Sequence, residues 1–148
     1  MAIGATIRQK VDREDTEKVL VELLKFSELS TTIVFAPGAA GTVVYTVQVV
    51  DAAGLPIAGV FNLAAYFSTS AIGANLTATA YSGTLAATTG AILTAFVAAK
   101  YFDIITDATG KFVGVLTATA KPQGEYFVIP RPRGDMVVSG PTVTASFG

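Results

Sequence analysis

Residues Val43 to Phe67 read VVYTVQVVDAAGLPIAGVFNLAAYF, two alternating runs on either side of a turn built from Asp51, Gly54 and Pro56. Val43, Tyr45, Val47 and Val49 alternate with Val44, Thr46, Gln48 and Val50. After the turn, Phe61, Leu63, Ala65 and Phe67 alternate with Asn62, Ala64 and Tyr66. A period of two is the pattern of half-buried strands, so the stretch predicts two strands joined as a hairpin. At the joint, the Asp51 carboxylate can cap a tight turn and Gly54 can take the positive φ that other residues resist. Pro56 lacks a ladder donor, which puts this corner at a sheet edge or a crossover.

The same reading extends outward. Ser30 to Phe35 is a short strand, and Ala36 to Gly41 is a flexible connection. Asn75 to Tyr81 alternates Leu76, Ala78 and Ala80 with Thr77, Thr79 and Tyr81, which predicts another strand. Thr88-Thr89-Gly90 turns the chain, Ile92 to Val97 begins an apolar run, and the run resumes over Tyr101 to Ile105. TDATGKF, Thr106 to Phe112, repeats the earlier turn chemistry, with Asp107 and Gly110 standing 56 residues beyond Asp51 and Gly54. Phe112 to Ala120, Glu125 to Ile129 and Met136 to Phe147 complete the strands, the last with Val137, Val143, Ala145 and Phe147 on one face. About seven to nine short strands with regularly spaced turns predict an all-β sandwich of the immunoglobulin kind. Without Cys or Trp, its core lacks the antibody-type disulfide and tryptophan.

Charge is placed unevenly along the 148 residues. Residues 1–28 carry 11 of the 21 charged side chains, and none lies between Ala52 and Ala99. Monomeric domains carry roughly a quarter of their residues in charged form, mostly outside, where charge keeps strand edges apart. The neutral stretch fits either a small sandwich with a Thr-rich exterior or a surface covered by neighbouring subunits, and the second reading is preferred. Asp12 to Glu28 offers Val19, Leu20, Leu23 and Leu24 at helical spacing, with Asp15 or Thr16 to cap it and Glu14 four residues before Lys18. A helix is expected, and an extended arm adding a strand to a neighbour stays open. Residues 1–30 are thus read as a charged anchoring arm and 31–148 as the sandwich. Either a helix packed on its own domain or an anchor docked in a larger body accounts for the arm.

Several function classes lose their chemistry. A formal net charge of −1 supplies no field to gather phosphates or anionic lipid, so neither nucleic acid nor membrane is an expected partner. The amino-terminal MAIGATIRQK reaches Arg8 before any apolar run of signal length, and no transmembrane-length apolar segment follows. The chain reads as a soluble protein made in the cytoplasm. With no histidine and no cysteine, no Ser-His-Asp relay, imidazole site or thiolate chemistry can be assembled, and neither enzyme activity nor a cofactor is expected. Asp103 and Asp107 are read as turn-capping and solvated rather than as calcium ligands, because carboxylates are scarce. Arg133-Gly134-Asp135 spells an integrin-attachment tripeptide, but between Pro132 and Met136 it reads as a hairpin tip whose Arg131 and Arg133 can meet an acidic partner. The residues expected to touch a partner are therefore Arg13, Lys18, Leu20, Leu23 and Leu24 on the arm, with Arg131 and Arg133 on the tip.

Four stretches carry a family likeness. VVDAAGLPIAGV (Val49 to Val60), TDATGKFVGVL (Thr106 to Leu116), GEYFVIP (Gly124 to Pro130) and VVSGPTVTASFG (Val137 to Gly148) resemble bacterial and phage immunoglobulin-like domains, over about residues 31 to 148. VIPRPRGDMVVSG is further similar to a stretch near the end of single-domain virion proteins of tailed phages. The neutral run from Ala52 to Ala99 departs from many members. The resemblance implies a structural or adhesive module without catalytic residues: a capsid decoration or head or neck accessory protein, homo-oligomeric, held to the major capsid protein or another virion protein and so located in the virion. The rival from another class is a host-recognition module binding glycan or receptor through Ser68 to Gly73 and Ser82 to Gly90.

Overall fold

A computed structural model describes Lys18 and residues 29–79, 81, 85–132 and 134–148. The nine strands are β1 (Ser30–Pro37), β2 (Thr42–Val50), β3 (Asn62–Ser68), β4 (Leu85–Thr89), β5 (Ala91–Val97), β6 (Tyr101–Ile105), β7 (Lys111–Thr117), β8 (Tyr126–Pro130) and β9 (Met136–Val138). They form two antiparallel sheets, one ordered β1-β2-β7-β4 and the other β5-β6-β3-β8-β9. The protein is an all-β sandwich. Within it, β1-β2-β7-β4 facing β3-β8-β9 follows the ABED and CFG arrangement of immunoglobulin-like sandwiches, with β5 and β6 added beside β3.

The two runs of Val43–Phe67 are both strands, but they do not form a hairpin. β2 pairs with β1 and β7, and β3 pairs with β6 and β8, so the 51–61 segment is a crossover between sheets. Both strands need their apolar faces inward, and two strands can bury them against each other only from opposite sheets. The crossover is stitched in place by Thr106, whose hydroxyl accepts from Phe61 N–H at 2.9 Å and donates to Gly59 C=O at 3.1 Å.

Aromatic rings fill the space between the sheets. Tyr45 and Phe67 are fully buried, with centroids 5.7 Å apart, and Phe127 lies 4.9 Å from Tyr45 and 5.1 Å from Phe67. Phe102 and Tyr81 extend the cluster at 6.2 and 5.0 Å from Phe67. Each ring removes a large apolar area from water, and tilted or edge-on pairs add roughly 0.5–1.5 kcal/mol apiece.

Of the other predicted strands, Asn75 to Tyr81 forms none over its described residues and Met136 to Phe147 forms only over Met136–Val138. Asn75 to Thr79 is irregular: Thr77 N–H bonds Phe67 C=O at 2.8 Å, and Asn75 is held by Ser68 and Thr69, both at 2.8 Å. Side-chain bonds of this kind compete with a ladder, so alternation alone misled. After Val138 the chain leaves β9, and Thr144–Ser146 forms a 3-10 turn. Thr142, Ser146 and Phe147 are buried there while Val143 is exposed, so the predicted face does not exist.

Candidate interaction surface

The registers place the start of β1, the 51–61 crossover, Gly90, the Asp107 turn and the 131–135 tip at one end of the sandwich. Residue 29, where the arm joins β1, and Arg131 of the tip thus lie at the same end. The expected helix over 12–28, with Arg13, Leu20, Leu23 and Leu24, lies outside the described residues, as does Arg133; Lys18 is helical and exposed. The tip is the β8–β9 hairpin turn: Arg131 N–H bonds Asp135 C=O at 2.8 Å, Gly134 takes φ +93°, and Arg131 Nη1 meets Asp135 Oδ2 at 3.0 Å.

Part of the neutral stretch forms one side of the sandwich, where β4 and β5 lie. β4 and β5 are a single run of chain bent at Gly90, each forming the edge of its own sheet. Gly90 has φ +71°, and a Cβ there would lie 2.3 Å from Ile105 C=O, so only glycine makes the bend. The register of β5 against β6 slips between Ile92 and Thr94 and again between Ala95 and Val97. Those bulges leave Leu93 and Phe96 unpaired and turned outward, 51% and 60% exposed. Phe96 packs on Tyr101 with centroids 5.2 Å apart, and Tyr101 meets Tyr66 at 6.1 Å, so an aromatic row crosses the outer face of the second sheet. Tyr66 donates to Gly73 C=O, and burial, then the neighbouring Tyr101, raises its phenol above the usual tyrosine range.

Of the ten large hydrophobic side chains exposed among the described residues, seven lie between Ala52 and Ala99: Leu55, Val60, Ile72, Leu76, Leu93, Phe96 and Val97. An edge strand is ordinarily shielded by charge, proline or bulges. Here only bulges are present. The sequence signal for this surface was the missing charge; the bulges that aim Leu93 and Phe96 outward left no periodic trace.

Two carboxylates sit in structural roles, while Asp103, expected to cap a turn, lies within β6. Asp107 Oδ1 accepts from Thr109 N–H, Thr109 Oγ1 and Lys111 N–H at 2.8, 2.7 and 3.0 Å, so it caps its turn as expected. Glu125 is buried, its carboxylate accepting hydrogen bonds from the Thr79 and Tyr81 hydroxyls. Burial, followed by that carboxylate, pushes the Tyr45 and Tyr81 phenols well above the usual range. Among the described residues, no group of three or more His, Cys, Asp or Glu could hold a metal, and no helix is long and apolar enough to cross a membrane. Compared with protein-family models, curated proteins and solved structures, the chain matches none.

Proposed function

We propose that this chain is a non-enzymatic structural protein of a tailed-phage virion, decorating the capsid or serving as a head or neck accessory. Its neutral β4–β5 side packs against neighbouring copies, and its charged arm fastens it to the shell. The observation that carries the first part is the coincidence of an uncharged double edge with outward-turned Leu93 and Phe96, a surface costly to leave in water and suited to a like, neutral surface. The phage assignment rests on the resemblance of residues 49–60, 106–116, 124–130 and 137–148 to phage immunoglobulin-like domains. Removing residues 1–28 and measuring binding to purified particles tests the anchor: the sandwich folds and no longer binds, whereas full decoration by the truncated form refutes it.

A second reading is host recognition, and one observation favours it: Asn62 and Asp103 share the outer face of the second sheet with Tyr66 and Tyr101, rings beside polar groups as in glycan sites. Copies per particle separate the two. Hundreds fit a coat, and a handful fits a tail tip.

A further inference from the structure

Where β1 begins, a cleft of about 110 Å³ opens between the sheets. Val49, Phe61, Leu63 and Ile129 make its walls apolar, and Thr31 and Arg131 bring polar atoms to it. Thr31 Oγ1 and Arg131 Nε are buried and find no hydrogen-bond partner among the described residues. Buried donors without partners are rare and costly, so the cleft asks for something that carries an acceptor as well as apolar bulk. A peptide segment has both, a side chain and a backbone carbonyl. A cavity of ~150 Å³ holds benzene, so this one holds a single aliphatic side chain.

Leu29 stands in the cleft's wall, so residues 1–28 attach at its rim. We propose that the apolar stretch 19–26, VLVELLKF, folds back onto its own sandwich and seats Leu24 in this cleft, with a backbone carbonyl accepting from Thr31 and Arg131. Leu24 is five residues from Leu29, a reach of up to ~18 Å. A tether that short gives an effective concentration in the millimolar range, which a second copy does not match in dilute solution. Charge agrees: residues 12–28 carry six acidic and three basic side chains, and the cleft presents the Arg131 guanidinium, whose Nη1 meets Asp135. The docking would leave residues 1–18 to reach a shell, and it holds whether or not that shell is a capsid.

The chain has no cysteine, so Asn62→Cys, at an exposed position on the rim, takes a single nitroxide label. In the full-length protein, the amide NMR signals of residues 19–26 should lose more than half their intensity relative to the reduced label. Leu24→Asp should restore them while the sandwich spectrum stays unchanged. Thr31→Val adds a second readout: it lowers the melting temperature if the arm satisfies the hydroxyl, and raises it if nothing does. Unbroadened 19–26 signals, a melting temperature raised by Thr31→Val, or equal broadening when the label sits on a second, isotopically silent molecule would each overturn the proposal.

Discussion

The carboxylates of Asp51 and Asp107 hold the same station in two turns: each accepts from the backbone N–H two residues ahead and from the one four residues ahead. For Asp51 these are Ala53 and Leu55, both at 2.9 Å, and for Asp107 they are Thr109 and Lys111 at 2.8 and 3.0 Å. Both turns also close with a bond from the glycine N–H to the aspartate C=O, 3.0 Å in each case. They differ in what surrounds them.

Gly54 and Gly110 expose that difference. Both have left-handed φ, +80° and +75°, but a Cβ on Gly54 meets nothing within 4 Å, whereas one on Gly110 would lie 2.1 Å from Ile57 C=O. Gly54→Ala is expected to cost about 1–2 kcal/mol from backbone strain alone. Gly110→Ala must also displace the crossover, and urea denaturation should show it to be at least twice as costly.

Asp107 gives the acid side of the stability curve. Its pKa is lowered, first by the Thr109 hydroxyl and then by the Lys111 amide, from an ordinary value of 3.8. A depressed folded-state pKa means that its contribution is present above about pH 4 and is lost as pH falls through the folded value. Asp107→Asn should therefore be less stable than the parent at neutral pH, with the gap closing on acidification. A pH-independent gap in denaturation midpoints would contradict the assignment.

The strands, the two Asp turns and the all-β class were legible because alternation and glycine placement are local signals. Sheet membership was not: Tyr45 and Phe67 meet edge-on from opposite sheets, a long-range fact that alternation cannot distinguish from a hairpin. The segments 75–81 and 139–147 alternate in sequence, yet Asn75 and Thr142 spend their side chains bonding backbone and neighbours instead of facing solvent from a strand. Of the interaction surface, the absent charge of Ala52 to Ala99 was readable. The cleft beside Leu29 was not, since its walls come from β1, β2, β3 and β8.

Tyr45, buried, and Tyr81, half-buried, should respond oppositely to losing the hydroxyl. Tyr45 Oη has no partner among the described residues, while Tyr81 Oη donates to Glu125 at 3.3 Å. Tyr45→Phe is expected to be neutral or stabilising. Tyr81→Phe leaves a buried carboxylate short of a donor and should cost about 1–3 kcal/mol, measured by thermal unfolding at pH 7.

Removing Phe67 would empty the centre of the ring cluster, which touches Tyr45, Tyr81, Phe102 and Phe127. Phe67→Ala should cost roughly 3–5 kcal/mol, and Phe67→Leu distinctly less, by the same denaturation assay.

The claim that other copies cover the uncharged β4–β5 side is tested most directly by sedimentation velocity of the full-length protein from micromolar to millimolar concentration. Reversible association is predicted, and the double variant Leu93→Glu, Phe96→Lys should abolish it while changing stability little, because both side chains already face solvent. A parent protein that sediments as a monomer throughout that range would contradict the claim.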